Sequence, residues 1–122
     1  MLFSYSSIGG VQNSGQLFKD GPSMPEYSIA FDDGVAAGLT INTVASVALN
    51  SSNAVVTSNC ITNTTISGNT TITRLKTMGA SGTSPATDGA RFQIITTATL
   101  SNSEVLTFAV YVLIQNPVYT PV

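Results

Sequence analysis

The stretch from Asp88 to Ile114 reads DGARFQIITTATLSNSEVLTFAVYVLI, two long alternating runs around a polar tip. On the first run Phe92, Ile94, Thr96, Ala98 and Leu100 fall on one face at period two. On the second, Leu106, Phe108, Val110, Val112 and Ile114 do the same. A slip of one residue would turn the whole apolar set to water, so the pattern demands a hairpin with these two sets on the same face. Pairing Leu100 with Leu106, and so on to Phe92 with Ile114, leaves a loop of either three residues (Asn102 to Glu104) or five (Ser101 to Val105). Three-residue loops favour a left-handed residue at their last position, which suits Glu104 badly, so both lengths stay open. Val105, Ala109, Tyr111 and Leu113 make the second run apolar on its other face as well. Such a strand belongs in the middle of a sheet or under a partner.

A chain of 122 residues holds one domain with one modest core. Hydrophobic residues make up 43% but charged residues only 8%, against about 25% in ordinary proteins. The polar surface must come instead from 15 Ser, 17 Thr and 9 Asn, the composition of strands and turns. So uncharged a surface repels its neighbours weakly, as suits a protein that packs against others. With four basic residues and a net charge of −2, there is no basic patch for nucleic acid. The opening MLFSYSSI lacks the features of a signal peptide. The longest apolar run, near Leu106 to Ile114, falls far short of the about 20 residues a membrane-spanning helix needs. Neither membrane nor nucleic acid is an expected partner. The lone Cys60 reads as a core or half-buried residue of a protein made in a reducing cytoplasm.

Along the chain, residues 1–25 are broken by Gly9-Gly10, Gly15, Gly21-Pro22 and Pro25 and are expected to form an extended arm. That arm is nonetheless rich in apolar residues, and should dock on a neighbour or back on its own domain. Leu2, Phe3, Tyr5, Ile8, Leu17 and Phe18, with Tyr119 in the short tail 117–122, are the candidate partner-binding anchors. Deleting residues 1–25 is expected to leave a folded domain that no longer joins its partner. The domain proper is placed at 26–116. It begins with the strand Tyr27 to Phe31, closed by the turn Asp32-Asp33-Gly34. Leu39, Ile41, Thr43, Ala45, Val47 and Leu49 then alternate as one bent strand, or two with a bulge near Thr43-Val44. Asn50 to Asn53 is a turn, Ala54 to Thr57 and Cys60 to Thr62 are short strand pieces, and Ile66 to Asn69 turns into a Thr-rich strand, Thr70 to Lys76. About seven strands predict an all-β fold, an Ig-like antiparallel β-sandwich, without the Cys…Trp…Cys signature of antibody domains.

Catalytic chemistry finds little to work with. The chain has no His, hence no Ser-His-Asp or Cys-His arrangement and no imidazole ligand. Asp32-Asp33-Gly34 and Asp88-Gly89 are turn sequences, where Asp serves short backbone hydrogen bonds, though loop carboxylates can also ligate calcium. No enzyme, cofactor or metal site is expected. Asn50, Asn63 and Asn69 match the glycosylation acceptor pattern by chance in so Asn- and Thr-rich a chain. The strand aromatics Tyr27, Phe31, Phe92, Phe108 and Tyr111 are expected in the core.

Three segments in order carry a resemblance: Leu17-Phe18-Lys19-Asp20-Gly21-Pro22 before Glu26-Tyr27-Ser28-Ile29 and Asp32-Asp33; then Gly38-Leu39-Thr40-Ile41; then Thr87-Asp88-Gly89-Ala90-Arg91-Phe92 leading into the hairpin. Together they resemble the small Ig-like structural proteins of tailed bacteriophages often labelled fibre–tail adaptors. The resemblance implies a non-enzymatic virion component, assembled in the bacterial host cytoplasm and joining tail, neck or fibre subunits in a symmetric or homo-oligomeric arrangement. A capsid cement protein bridging major capsid subunits is the alternative. A carbohydrate- or receptor-binding module is a third reading, its site placed on the loop Gly79 to Gly89.

Overall fold

The computed structural model describes residues 1–9, 12–19, 25–76 and 91–114. Eight strands run in chain order: β1 (Leu2–Ser4), β2 (Ser14–Lys19), β3 (Glu26–Ala30), β4 (Ile41–Asn50), β5 (Ile61–Ser67), β6 (Thr70–Leu75), β7 (Arg91–Leu100) and β8 (Val105–Ile114). They form two four-stranded sheets, β1-β3-β6-β5 and β2-β8-β7-β4, packed as an all-β sandwich. From β3 to β8 the order is that of an immunoglobulin-type Greek key, with β3-β6-β5 on one side and β8-β7-β4 on the other. Two parallel pairs, β1 with β3 and β2 with β8, make both sheets mixed.

The β7–β8 hairpin has the inner face its alternation demands. Phe92, Ile94, Thr96, Ala98 and Leu100 are all buried, as are Leu106, Phe108, Val110 and Val112. The register differs by two residues from the expected pairing. Phe92 lies opposite Val112 and Ala98 opposite Leu106, and the Leu100 N–H donates to the Glu104 carbonyl at 2.8 Å. The turn is therefore three residues, Ser101 to Ser103, with Ser103 at φ 70° in the left-handed last position. Asn102 Oδ1 accepts the Glu104 N–H at 3.0 Å, and the Ser101 N–H donates to the Thr40 carbonyl at 2.9 Å, so the tip is held from two sides. A shift of two preserves parity, so the buried faces survive the changed register. β8 lies between β2 and β7, a central strand.

In β4 the expected face is inverted over most of its length. The register slips between Ile41 and Thr43, a bulge one residue earlier than expected. Ile41 points inward, but beyond the bulge the inward set is Val44, Ser46 and Ala48, while Ala45 and Val47 face out. One extra residue shifts a period-two pattern by half its period. The segment 54–60 also departs from expectation. Val55 makes only an isolated bridge to Leu49, and Thr57–Cys60 forms a single helical turn, α1, leading into β5.

Residues 1–19 do not stand apart as an arm. Of their two expected destinations, the described residues take the second, their own domain. β1 adds an edge to the first sheet and β2 an edge to the second, so the boundary drawn at 25/26 divides strands of one sandwich. The Phe3 ring packs edge-on to Tyr27 at 5.7 Å and against Phe108 at 5.8 Å between centroids. It lies so close over β2 that a Cβ on Gly15 would run into it. Tyr5 stacks on Phe31 at 5.6 Å, over Gly34, where an added Cβ would meet the Tyr5 ring at 2.6 Å and Leu106 at 2.8 Å. Leu17 is 1% exposed. The connection closes on itself: the Ser6 N–H donates to Asn13 Oδ1 at 2.7 Å, and Asn13 Nδ2 donates back to the Ser6 carbonyl at 3.1 Å. Gly and Pro rule out a long regular element here, but the sandwich needs only short edge strands and apolar plugs from this segment.

Leu17→Ala is therefore expected to cost about 2–5 kcal/mol and Phe108→Ala about 3–5 kcal/mol of folding stability, read as shifts of the urea midpoint at constant slope. Deletion of residues 1–19 should lose cooperative unfolding or lower the melting temperature steeply. A deletion variant as stable as the full chain would show the first two strands to be dispensable.

Candidate interaction surface

The groups with chemical potential are mostly spent on structure. Cys60 is buried at the end of α1, and burial pushes its thiol pKa up to about 11, against a smaller opposing pull from Lys76. Its thiolate is disfavoured accordingly. Asp33 sits exposed on the 3-10 turn Asp32–Gly34. Its Oδ2 accepts the Ser7 N–H at 2.8 Å and the Ser7 hydroxyl at 3.0 Å, and these bonds hold its carboxyl below the usual range. The carboxylate thus serves a backbone N–H as the turn reading requires, but one on the N-terminal segment. No group of three or more His, Cys, Asp or Glu side chains converges among the described residues. No helix among them is long and apolar enough to cross a membrane.

Between the sheets, on the β4–β5 side, lies a layer of hydroxyls. Thr64 donates to Ser46 Oγ at 2.8 Å, Ser46 and Thr96 share a bond of 3.0 Å, and Thr64 and Thr73 lie 3.3 Å apart. This chain ties β6, β5, β4 and β7 across the core. The Tyr27 phenol ends beside Thr73 and Thr96, which favour its anion without meeting full hydrogen-bond geometry with it. Burial dominates and pushes its pKa up to about 12.

The expected anchors are divided by the fold. Leu17 becomes a core residue, and Phe3 and Tyr5 are half-buried plugs against the core; all three are occupied within the domain. Leu2, Ile8 and Phe18 remain exposed, but on different elements: the edge of one sheet, the connection between β1 and β2, and the edge of the other sheet. Tyr119 and the loop Gly79 to Gly89 lie outside the described residues.

Of these residues only Phe18 belongs to a larger surface. The outer face of β2-β8-β7-β4 is laid out in rows by the strand registers. Phe18, Leu113 and Arg91 form one row; Gln16, Tyr111, Gln93 and Leu49 the next; then Ser14, Ala109, Ile95 and Val47; then Thr107, Thr97 and Ala45; then Val105 beside Thr99. Phe18 at 53%, Tyr111 at 40%, Val47 at 40% and Val105 at 54% exposure leave large apolar area uncovered among the described residues. At the Phe18 end a cleft of about 450 Å³ opens between β2, β8, β7 and the turn at Ser51 and Asn53. Tyr111 therefore sits on the outer face and not in the core, where the other four strand aromatics lie. The signal for this was present in the alternation, which puts residue 111 opposite Val110 and Val112. The outer rows of β4 could not be read until the bulge had set their phase.

The other sheet is dressed differently. Its outer rows are Glu26, Arg74 and Asn63; Leu2, Ser28, Ile72 and Thr65; and Ser4, Ala30, Thr70 and Ser67. Arg74 donates to Asn63 Oδ1 at 3.1 Å and Thr65 Oγ1 at 3.2 Å, and its Nε lies 3.8 Å from Glu26. This face is built around that ion pair and its hydrogen bonds, with Leu2 exposed at its edge. Comparison with known proteins adds no identification: neither the family models, nor the curated proteins, nor the solved structures yield a match.

The two raised pKa values set an alkaline limit to stability. Cys60 moves from 9.0 to about 11 and Tyr27 from 10.0 to about 12. In each case the unfolded chain ionises first. Their contribution is complete below the unfolded values and is lost as pH rises through the folded ones. Chemical denaturation at a series of pH values should show stability falling from about pH 9 towards pH 12. Tyr27→Phe should stay within about 1 kcal/mol of the wild type at pH 7, since its hydroxyl lacks a full partner, and should flatten the loss above pH 10. An unchanged alkaline slope in both Tyr27→Phe and Cys60→Ala would mean that other groups set the limit.

Proposed function

We propose that this chain is a non-enzymatic structural subunit of a bacteriophage virion, an Ig-like adaptor that joins tail, neck or fibre components through its β-domain. The observation that carries this reading is the unequal dress of the two sheets. One outer face carries the Glu26–Arg74 ion pair, and the other exposes Phe18, Tyr111, Val47 and Val105 among Gln, Ser and Thr, with Arg91 the one charged side chain of its described rows. Large apolar side chains left exposed on one sheet face are the kind of surface on which another protein sits. The resemblance of residues 17–115 to phage adaptor proteins names the setting, a particle put together in the host cytoplasm. Binding falls to the outer face of β2-β8-β7-β4 and to the exposed Leu2, Ile8 and Phe18, while Phe3, Tyr5 and Leu17 hold the domain together. A capsid cement protein would use the same surfaces at a different place in the particle.

The deciding measurement is the copy number of this chain per purified particle, by quantitative mass spectrometry. A few to a few dozen copies are expected for an adaptor. Hundreds would move it to the capsid shell as cement, and absence from every particle fraction would end the virion reading.

A further inference from the structure

We infer that the cleft at the Phe18 end of the outer face of β2-β8-β7-β4 binds an acidic saccharide, a sugar ring that carries one carboxylate. Its volume of about 450 Å³ lies within the range of about 300–1,000 Å³ usual for small-molecule sites. The strand registers lay its floor in two rows. Phe18, Leu113 and Arg91 stand side by side in the first, and Gln16, Tyr111 and Gln93 in the second. At standard strand geometry each row is about 10 Å wide and the two lie about 7 Å apart, the footprint of a single sugar ring with its hydroxyls.

The first observation is aromatic. Among the described residues, Phe18 and Tyr111 are the two exposed aromatic side chains, and both line this cleft. Every other described aromatic is buried or half-buried within the domain. A flat ring open to solvent offers apolar area to the C–H face of a sugar, and a phenol adds a polar tip. Tyr111 stands at the centre of its row, and Gln93 Nε2 donates to its Oη at 3.4 Å, which orients the ring.

The second observation is the polar set around those rings. Gln16 and Gln93 flank Tyr111, and Asn53 borders the cleft from the turn after β4. Asn50 Oδ1 accepts the Ser52 and Ala54 N–H groups at 2.9 and 3.0 Å, which fixes that turn. A carboxamide both donates and accepts, as a sugar hydroxyl does. Arg91 is the one charged side chain among the described lining residues, exposed and with no carboxylate at ion-pair distance among the described residues. A single guanidinium matches a single carboxylate through two parallel hydrogen bonds. An aliphatic acid would leave the amides without partners, and a neutral sugar would leave the guanidinium without one. An acidic sugar serves both.

The inference rests on the cleft alone and not on the virion reading, since ligand titration of the free chain and copy number in a particle are separate measurements. The isotope-labelled full chain is titrated with glucuronate, galacturonate and N-acetylneuraminate and followed by heteronuclear NMR. At least one of these acids should shift the signals of Gln16, Phe18, Gln93 and Tyr111 saturably, while those of β5 and β6, on the other sheet, stay in place. Arg91→Gln, at an exposed position, should weaken that binding by about tenfold, to the level of glucose. Tyr111→Ala, also at an exposed position, should weaken acid and glucose alike. The spectrum of each variant reports whether its fold is kept. Acetate should not reproduce the shifts; acetate bound as tightly as the acidic sugar overturns the inference by reducing the cleft to a simple anion site. The absence of saturable shifts with all three acids at the highest soluble concentration overturns it as well. Binding indifferent to both variants overturns it equally, by placing the contact elsewhere.

Discussion

Side chains alternate along a strand, so the pairing of β7 with β8 decides at one stroke what faces the second sheet. Nine buried side chains on these two strands depend on it. The three-residue turn closed by Ser103 in the left-handed region fixes that parity. Its tip is bonded to Thr40, the residue before β4. β4 pairs with β7, β2 pairs with β8, and the opposite sheet packs onto the surface so formed. A turn one residue longer or shorter would put Phe92 and Ile94 on the opposite face from Phe108 and Val110, sending one of the two sets to water.

Much of this was legible in the sequence because it rests on period. The buried faces of β7 and β8, the strand from Tyr27 and the Thr-rich strand β6 all follow from alternation alone. The register of the hairpin did not, because Leu100 can face Leu106 or Glu104 without changing which side is apolar; the choice was made by Ser103, a residue with no strong claim on a left-handed conformation. Nor was the phase of β4 visible. The bulge after Ile41 is a property of its pairing with β7, and alternation in sequence runs straight through it. The outer face of β2-β8-β7-β4 was half hidden for the same reason, since Val47 and Ala45 reach it only through that bulge.

The N-terminal segment shows how composition can suggest a boundary that packing ignores. Its glycines and prolines exclude long regular structure, and its aromatics could equally serve a neighbour or the domain itself. Phe3, Tyr5 and Leu17 are spent inside because β3 and β8 would otherwise offer open edges and leave Tyr27, Phe31 and Phe108 uncovered on that side. Gly15 and Gly34 make room for the Phe3 and Tyr5 rings, so two residues that read as breakers act as sockets. On the far side of the sandwich the hydroxyl chain from Thr73 to Thr96 performs the corresponding closure with polar groups.

The pairing of β2 with β8 also orders events in time. Ser14 meets Ala109 and Leu17 meets Val112, so an early part of the chain finds its place only against the last described strand. During synthesis β2 must wait until β8 has left the ribosome, with Leu17 and Phe18 unsheltered meanwhile. Contacts between such distant segments carry a large loop-closure cost and slow the search for the native state. The same scarcity of charge that suits the finished surface to packing gives the waiting chain little electrostatic protection against its neighbours. Until β2 and β8 have met, the apolar face of each is kept from its neighbours by local structure alone.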